Sequence, residues 1–298
     1  AELYSVPPKK DTYGLTEEII GNWFTKNKKR NEVIIASKVA GPSRDYLRNG
    51  ENSFVGINLE SAINNSLKRL KTDYIDLYQL HWPNRGSYHF RSYWNYQPKK
   101  QDDNNIKGEF LDIVNVLNEF KKEGLIRAIG VSNETCWGVM KLNEIVKERE
   151  NLCIASIQNE YSLMCRLFDN DFNELSINEN IPLLAYSPLA RGLLTGKYMG
   201  NKIPEGSRLS RDDKIRKIVN DNSDLAVKSY FTLAAKHNID PVHMSLVFCN
   251  ERPFMGSVIF GATDIMQLRK ILAGINLKLD SEINDEIQKL YKKFPLTF

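Results

Sequence analysis

The segment YIDLYQL (74–80) and the histidine that follows it decide the fold class of this chain. The segment is a nearly continuous apolar run of strand length, with an amphipathic stretch on each side. Strands of this kind are typical of parallel sheets that are covered by helices on both faces. Five further runs have the same character: EVIIASK (32–38), IRAIGVS (126–132), CIASIQ (153–158), PLLAYS (182–187) and GSVIF (256–260).

Helical patterns lie between these strands. The segment NLESAINNSLKRL (58–70) places four apolar residues on one face, and EFLDIVNVLNEFKKEG (109–124) does the same with a face that includes Leu111. Repeated strand–helix units predict a parallel sheet with right-handed crossovers. Further helices are predicted at 16–29, 134–150, 222–238, 242–250 and 264–274, and at 281–293 behind an N-cap at Asp280.

Two architectures fit this alternation, an open doubly wound sheet and a closed (β/α)8 TIM barrel. No G-x-G-x-x-G follows a strand, so a Rossmann nucleotide site has no anchor, and no change in composition separates two domains. We predict one α/β barrel domain over 1–298, with a long loop at 84–108 over the barrel mouth and a C-terminal helix at 281–293. A barrel needs eight strands. We read AELY (1–4) as a strand end and expect the first strand, the first helix and most of the second strand upstream of Ala1.

Composition narrows the classes of partner. The chain has 298 residues, 42% of them hydrophobic, and a net charge of only +4, which is typical of a globular protein and gives no support for nucleic-acid binding. No apolar run approaches bilayer length, so we expect no membrane partner. The four cysteines are scattered without metal-site spacing, which favours a reducing, cytoplasmic location and no metal. The oligomeric state stays open.

Polar residues close the predicted strands. In a (β/α)8 barrel the functional groups sit at the carboxyl ends of the strands. A single lysine or histidine at such a place is often structural, so the inference depends on the whole set meeting at one barrel mouth. The set is Tyr4, Lys38, His81, Ser132, Asn133, Gln158, Tyr186, Ser187 and Gly261.

These residue types suit the reduction of a carbonyl group. That reaction needs a hydride donor, a proton donor for the forming alkoxide and a group that holds the carbonyl oxygen. A tyrosine, whose ordinary pKa is about 10, becomes a better proton donor beside an ammonium group. A neutral imidazole can orient the substrate oxygen. A buried lysine keeps its charge only with an acidic partner, so the site also needs a carboxylate.

Seven ordered segments resemble the motifs of the aldo-keto reductase superfamily. They are AELY, IIASKV, LYQLHWP, IGVSN, IQNEYS, AYSPLARGLLTGKY and FGATDIMQL. The sequence is most similar to the bacterial Tas-type branch, to which YSVPPKKDTYGLTEEIIGNW and GPSR point. It is also similar to the β-subunits of voltage-gated potassium channels. The resemblance implies a (β/α)8 barrel that reduces aldehydes or ketones with NADPH.

The resemblance also implies roles for individual residues. Tyr4 matches the family's proton donor, Lys38 the lysine that tunes it, and His81 the histidine that orients the substrate. The matches to nicotinamide-binding residues are Ser132, Asn133 and Gln158, which hydrogen-bond the carboxamide, and Tyr186, which stacks on the ring. The matches to the pyrophosphate segment are Ser187, Leu189, Arg191, Gly192 and Lys197, with Arg208 as a basic residue near the phosphates. Gly261, Thr263 and Gln267 match the adenosine 2′-phosphate end.

The sequence departs from the family pattern at two places. The family's catalytic aspartate stands just before the position of Ala1, so we expect an Asp two residues upstream, and we predict weak activity or none without it. At the adenosine end, Lys270 and Ile271 stand where the family commonly has Glu-Asn. Ile271 cannot make an asparagine's hydrogen bonds to adenine, whereas Lys270 can add positive charge near a 2′-phosphate.

Two alternatives remain open on the sequence. The aromatic residues of the loop at 84–108 either line a pocket for apolar or aromatic carbonyl compounds or pack on one another at the surface, and His89 among them is read as incidental. The chain itself is either a reductase of small-molecule carbonyl compounds or a nucleotide-binding regulatory relative with little turnover.

Overall fold

The structure, a computed structural model, describes residues 1–42, 44–50, 53–211 and 216–297. Ser43 of the GPSR segment lies outside the described residues. The chain divides into two compact units, Ala1–Ile157 and Gln158–Phe298, and each is described by itself below.

Six strands form one sheet in chain order, and all six are the predicted ones. The pairings of β1 with β2, β2 with β3 and β5 with β6 are parallel. This is the α/β sheet expected from the continuous apolar runs, while its closure into an eight-stranded barrel stays a prediction. The strands are β1 Ala36–Val39, β2 Ile75–Leu80, β3 Ile126–Ser132, β4 Ile154–Gln158, β5 Leu183–Tyr186 and β6 Met255–Ile259.

Helices follow the strands at the predicted places, with one addition, Asp171–Glu179, that the sequence pattern did not indicate. Asp280 caps the last helix through the Ile283 amide, as predicted. None of the helices in the described ranges is long and apolar enough to cross a membrane. The helices are α1 Leu15–Asn27, α2 Ile57–Leu70, α3 Asp103–Lys122, α4 Cys136–Lys147, α5 Asp171–Glu179, α6 Asp221–Lys236, α7 Pro241–Asn250, α8 Ile265–Ala273 and α9 Ser281–Lys293.

Three details of the prediction were wrong. Residues 1–4 lie in turns rather than in a strand, although the Glu2 amide donates to the Lys38 carbonyl of β1 (3.3 Å). The predicted loop ends at residue 102, because the Asp102 side chain accepts a hydrogen bond from the Asn104 amide and caps α3 there. Leu111 of the predicted face is 41% exposed, whereas Val114, Leu117 and Phe120 of that face are buried together with Phe110.

The spacing of the four cysteines predicted buried thiols rather than disulfides, and two of the four are buried. Cys165 and Cys249 are buried in the second unit, whereas Cys153 is exposed and Cys136 is half-buried at the start of α4. The interior of the first unit is formed by apolar side chains of β1–β3 and of the helices α2–α4 that cover them.

Candidate active site

The first unit brings the three predicted catalytic residues together. Lys38 lies in β1 and His81 follows β2, and these neighbouring strands end side by side because the His81 amide donates to the Val39 carbonyl (3.0 Å). The rings of Tyr4 and His81 are stacked, with centroids 5.6 Å apart and planes 23° apart. Lys38 Nζ lies 5.7 Å from the centroid of the Tyr4 ring. We call Tyr4, Lys38 and His81 the catalytic cluster.

Burial sets the charge states in the catalytic cluster. Desolvation lowers the pKa of the Lys38 ammonium to about 8. No carboxylate of the described residues lies within ion-pair distance of it. Burial, and then the positive charge of Lys38, hold the pKa of His81 well below its ordinary value, so the imidazole is neutral near pH 7. His81 Nδ1 is buried and has no hydrogen-bond partner among the described residues. A neutral imidazole with an unused nitrogen is suited to bind a ligand oxygen.

A buried carboxylate that sequence reasoning missed anchors the two segments of the cluster. Glu2 is 1% exposed, accepts hydrogen bonds from the Ala40 amide (2.8 Å) and the Tyr13 hydroxyl (3.3 Å), and forms an ion pair with Arg48. Arg48 also donates to the Ala40 carbonyl (2.8 Å). Glu2 therefore ties the segment that carries Tyr4 to the end of β1. The sequence signal that could have identified Glu2 was its position two residues before Tyr4.

The predicted nicotinamide-binding pair of this unit lies directly beside the cluster. Ser132 ends β3, and Asn133 follows it with a left-handed backbone (φ 51°). The Asn133 Nδ2 group donates to the His81 carbonyl (2.9 Å) and to Ser132 Oγ (3.0 Å). Both residues are buried. Their hydroxyl and amide groups are of the types that hydrogen-bond a carboxamide.

In the second unit, predicted cofactor residues close β4 and β5. Gln158 is the last residue of β4 and is buried, and Tyr186 is the last residue of β5 and half-buried. The chain then enters a tight turn in which Ser187 has a left-handed backbone (φ 57°) and its carbonyl accepts from the Ala190 amide (2.8 Å). This turn carries the segment predicted to bind a pyrophosphate.

The pyrophosphate segment has a backbone that requires glycine at one position. Gly192 has φ 99°, and a Cβ there would lie 3.0 Å from Lys197 Cε. The preceding Arg191 is also left-handed and lies 3.9 Å from Glu160, and Lys197 is exposed. Leu189, at the start of this segment, is half-buried. A glycine-bearing turn with two cations suits a phosphate group.

Arg208 lies on a separate short helical turn, Arg208–Arg211, and is exposed. That turn contacts the pyrophosphate segment through Tyr198, whose hydroxyl is 3.5 Å from the Leu209 amide. Tyr198 follows Lys197 and Leu209 follows Arg208, so the two basic residues lie on segments that contact each other.

The three residues predicted for the adenosine end form one exposed local group. Gln267, in the first turn of α8, accepts hydrogen bonds from the Thr263 amide (3.1 Å) and hydroxyl (3.2 Å), and Gly261 lies just before them. The structure shows the surroundings of Lys270 and Ile271, the two residues that depart from the family pattern at this end. Lys270 forms an ion pair with Asp240 (2.9 Å), and Ile271 is buried against the interior rather than exposed.

One group of side chains in the described ranges has donor atoms near enough to hold a metal ion. His237, Glu282 and Glu286 place one donor atom each within 4.8 Å of one another. The ammonium of Lys236 contacts both carboxylates and already supplies their counter-charge. These contacts indicate a structural role for the group of His237, Glu282 and Glu286.

Comparison with known proteins agrees with this geometry. The model of the Aldo/keto reductase family matches residues 1–292. The chain is 38% identical to Protein tas of Escherichia coli (strain K12) over 99% of this chain and 84% of that protein. It is 34% identical to an aldo-keto reductase of Babesia bovis over 85% of this chain and 95% of that protein. It is 28% identical to the NADH-specific methylglyoxal reductase of Escherichia coli (strain K12), over 72% of this chain and 58% of that protein. The chain belongs to the aldo/keto reductase family.

Proposed function

We propose that this oxidoreductase reduces an aldehyde or ketone to the alcohol with NADPH, and that Tyr4 is the proton donor. The observation that carries the proposal is the catalytic cluster itself. A phenol, an ammonium and a neutral imidazole lie side by side. Among the described residues, Lys38 has no carboxylate within ion-pair distance and His81 Nδ1 has no hydrogen-bond partner. Groups left unpaired in this way are typical of sites that bind and transform a ligand.

Each residue of the cluster has one role. Bound NADPH supplies the hydride that adds to the carbonyl carbon. Tyr4 gives its hydroxyl proton to the carbonyl oxygen, and the resulting phenolate takes a proton from solvent. Lys38 stabilises the phenolate by its charge at 5.7 Å from the ring. His81 donates a hydrogen bond to the carbonyl oxygen and orients it.

The cofactor is assigned to residues that the family resemblance names. Ser132, Asn133 and Gln158 hydrogen-bond the carboxamide, and Tyr186 stacks on the nicotinamide ring. The segment from Ser187 to Lys197, with Arg208, binds the pyrophosphate. Gly261, Thr263 and Gln267 bind the adenosine end. NADPH rather than NADH remains the proposal because the family resemblance implies it. Arg208 is exposed and suits the pyrophosphate that both cofactors share, and Lys270 contributes less charge at the 2′-phosphate, since it is paired with Asp240.

The substrate is proposed to be an apolar or aromatic carbonyl compound. Phe90 of the loop packs edge-on against Trp82 (5.9 Å), whose ring lies 4.6 Å from His81, so one loop aromatic contacts an immediate neighbour of the catalytic cluster. Other loop aromatics pack on one another, as Tyr88 and Tyr96 do. The loop therefore combines the two interpretations left open by the sequence. Free thiols agree with the proposed cytoplasmic location.

The test measures NADPH and NADH oxidation with a panel of aliphatic and aromatic aldehydes, and cofactor binding by quenching of tryptophan fluorescence. Steady NADPH oxidation that Tyr4→Phe abolishes without loss of binding supports the reductase. Tight binding without turnover in the full-length protein supports the regulatory alternative. Absence of binding for both cofactors overturns both. A preference for NADH corrects the cofactor only.

A further inference from the structure

The long loop after β2 begins with three residues that contact the turn after β3. Arg85, Ser87 and His89 stand at alternate positions, and each makes a polar contact with the segment 133–135. The two segments are about 45 residues apart in the sequence. We call Arg85, Ser87 and His89 the loop clamp.

The first member of the loop clamp forms a buried ion pair. Arg85 binds both carboxylate oxygens of Glu134 through its two terminal nitrogens, at 3.0 Å for Nη1 to Oε2, and both side chains are 7% exposed. The same guanidinium donates to Thr135 Oγ1 (3.1 Å), which caps α4 at the Gly138 amide. The pair lies so close to α4 that a Cβ on Gly138 would meet both partners at 2.2 Å.

The other two members bind successive backbone carbonyls. Ser87 Oγ donates to the Asn133 carbonyl (2.9 Å), and His89 Nε2 donates to the Glu134 carbonyl (2.9 Å). Burial lowers the pKa of His89 to about 4, so the imidazole is neutral and carries its proton on Nε2, where the carbonyl requires a donor. Ser87 Oγ also accepts the His89 amide (3.3 Å), which links the two contacts.

The turn that the loop clamp contacts has an uncommon backbone. Asn133 adopts a left-handed conformation (φ 51°), which few residues with a side chain adopt and which asparagine tolerates better than most. Its side chain donates to the His81 carbonyl (2.9 Å). A rotation of the Asn133 backbone would displace its side-chain amide and strain or break its hydrogen bond to the His81 carbonyl.

We propose that the loop clamp positions Asn133 for recognition of the nicotinamide carboxamide, so that the loop after β2 controls cofactor binding as well as substrate access. The inference rests on the proposed function, since it assigns Asn133 to the cofactor. Arg85, Ser87 and His89 are positioning residues that act through the backbone of 133–135 and do not contact the cofactor themselves.

The experiment compares the binding of NADPH with that of an adenosine 2′-phosphate fragment that lacks the nicotinamide. Ser87→Ala and His89→Leu each remove one donor, and we expect each to weaken NADPH binding about tenfold while binding of the fragment stays within about twofold. His89→Gln keeps a donor near the Nε2 position and should restore most of the affinity. Ser229→Ala, which removes a comparable hydroxyl-to-carbonyl bond from α6, is the matched control and should change neither affinity.

The outcomes separate the two proposals. Equal NADPH affinity in the parent, Ser87→Ala and His89→Leu overturns the loop clamp while leaving the reductase intact. Equal weakening of NADPH and fragment also overturns it, because general damage explains that result. A parent protein that binds neither ligand overturns the proposed function and, with it, the assignment of Asn133. Arg85→Lys keeps the positive charge but loses the bidentate contact with Glu134. It is expected to raise KM for NADPH with kcat nearly unchanged.

Discussion

Two buried polar groups of the first unit differ in how their side chains are paired. The catalytic cluster contains a lysine, a histidine and a hydroxyl, and the loop clamp contains an arginine, a histidine and a hydroxyl. In the clamp, Arg85 faces a carboxylate and Ser87 faces a carbonyl. In the cluster, Lys38 has no carboxylate partner among the described residues. Similar residue types are therefore paired in the loop clamp, where we propose a positioning role, and Lys38 and His81 lack such pairing among the described residues in the cluster, where we propose catalysis.

The two histidines differ in the same way, in whether one ring nitrogen has a hydrogen-bond partner. Burial keeps both imidazoles neutral near pH 7. His89 Nε2 is used by a backbone carbonyl, whereas His81 Nδ1 has no partner within the described ranges. A buried nitrogen without a partner is unfavourable for folding, so a protein retains it mainly where a ligand uses it. The difference supports the proposal that His81, rather than His89, acts on a ligand.

The largest expected effect comes from removing the proton donor of the cluster. Tyr4→Phe should lower kcat by about 10²–10⁴-fold, because general acid catalysis of this kind contributes that range. The affinity for NADPH should stay the same, since the hydroxyl is not assigned to the cofactor. Steady-state kinetics and fluorescence titration measure the two. A variant with kcat near that of the parent would remove Tyr4 from the mechanism.

Breaking the loop clamp should affect folding more than any change in the cluster. Arg85→Met leaves the Glu134 carboxylate buried without its partner and should lower the free energy of unfolding by about 3–5 kcal/mol. The double variant Arg85→Met/Glu134→Met removes both charges and should recover most of that loss. Urea unfolding measures all three proteins. A double variant as unstable as the single one would contradict the dominance of the ion pair.

Removing the lysine of the cluster should raise the free energy of unfolding, which is the opposite of the effect expected for Arg85→Met. Folding lowers the pKa of Lys38 from 10.5 to about 8, so below pH 8 the folded chain carries a buried ammonium that opposes folding. Lys38→Met in the sequence 1–298 should therefore raise the free energy of unfolding at pH 7 by roughly 2–3 kcal/mol. The gain should shrink as pH rises from 8 to 10.5, where the parent protein recovers stability.

Urea unfolding of both proteins across this pH range checks the sign. A Lys38→Met variant less stable than the parent at pH 7 would show that Lys38 has an anionic partner beyond the described residues.

The smallest effect is expected at Gln79, which lies opposite Lys38 in the sheet. Gln79 is fully buried, and neither of its amide atoms has a hydrogen-bond partner among the described residues. Gln79→Leu should raise the free energy of unfolding by about 1 kcal/mol, since it removes an unsatisfied group. The matched control is Gln288→Leu, because Gln288 accepts a hydrogen bond from Arg166 (3.1 Å) and its loss should destabilise. Destabilisation by both substitutions would indicate that Gln79 is satisfied in solution.

Local patterns in the sequence predicted much of the fold and of the catalytic cluster. Continuous apolar runs gave all six strands, and residues at their ends gave Lys38 and His81, because parallel neighbours place their carboxyl ends together. The start of α3 was missed because the apolar pattern begins only after the first turn, which Asp102 caps with a polar contact. The helix Asp171–Glu179 was missed because it is short and its apolar face is weak.

By itself, the sequence determined the α/β class and the strand positions from local periodicity, and it predicted Lys38 and His81 from what ends a buried strand. Tyr4 was predicted on the same ground, although residues 1–4 form turns, so for this residue the family resemblance was the sound argument. Only the tertiary structure decided which polar groups are paired. Arg85 and Glu134 are 49 residues apart, and nothing in their local patterns distinguishes them from solvent-exposed charges. Pairing and burial depend on contacts between distant segments, so His89 changed from an incidental residue to a proposed positioning residue only once its carbonyl partner was known.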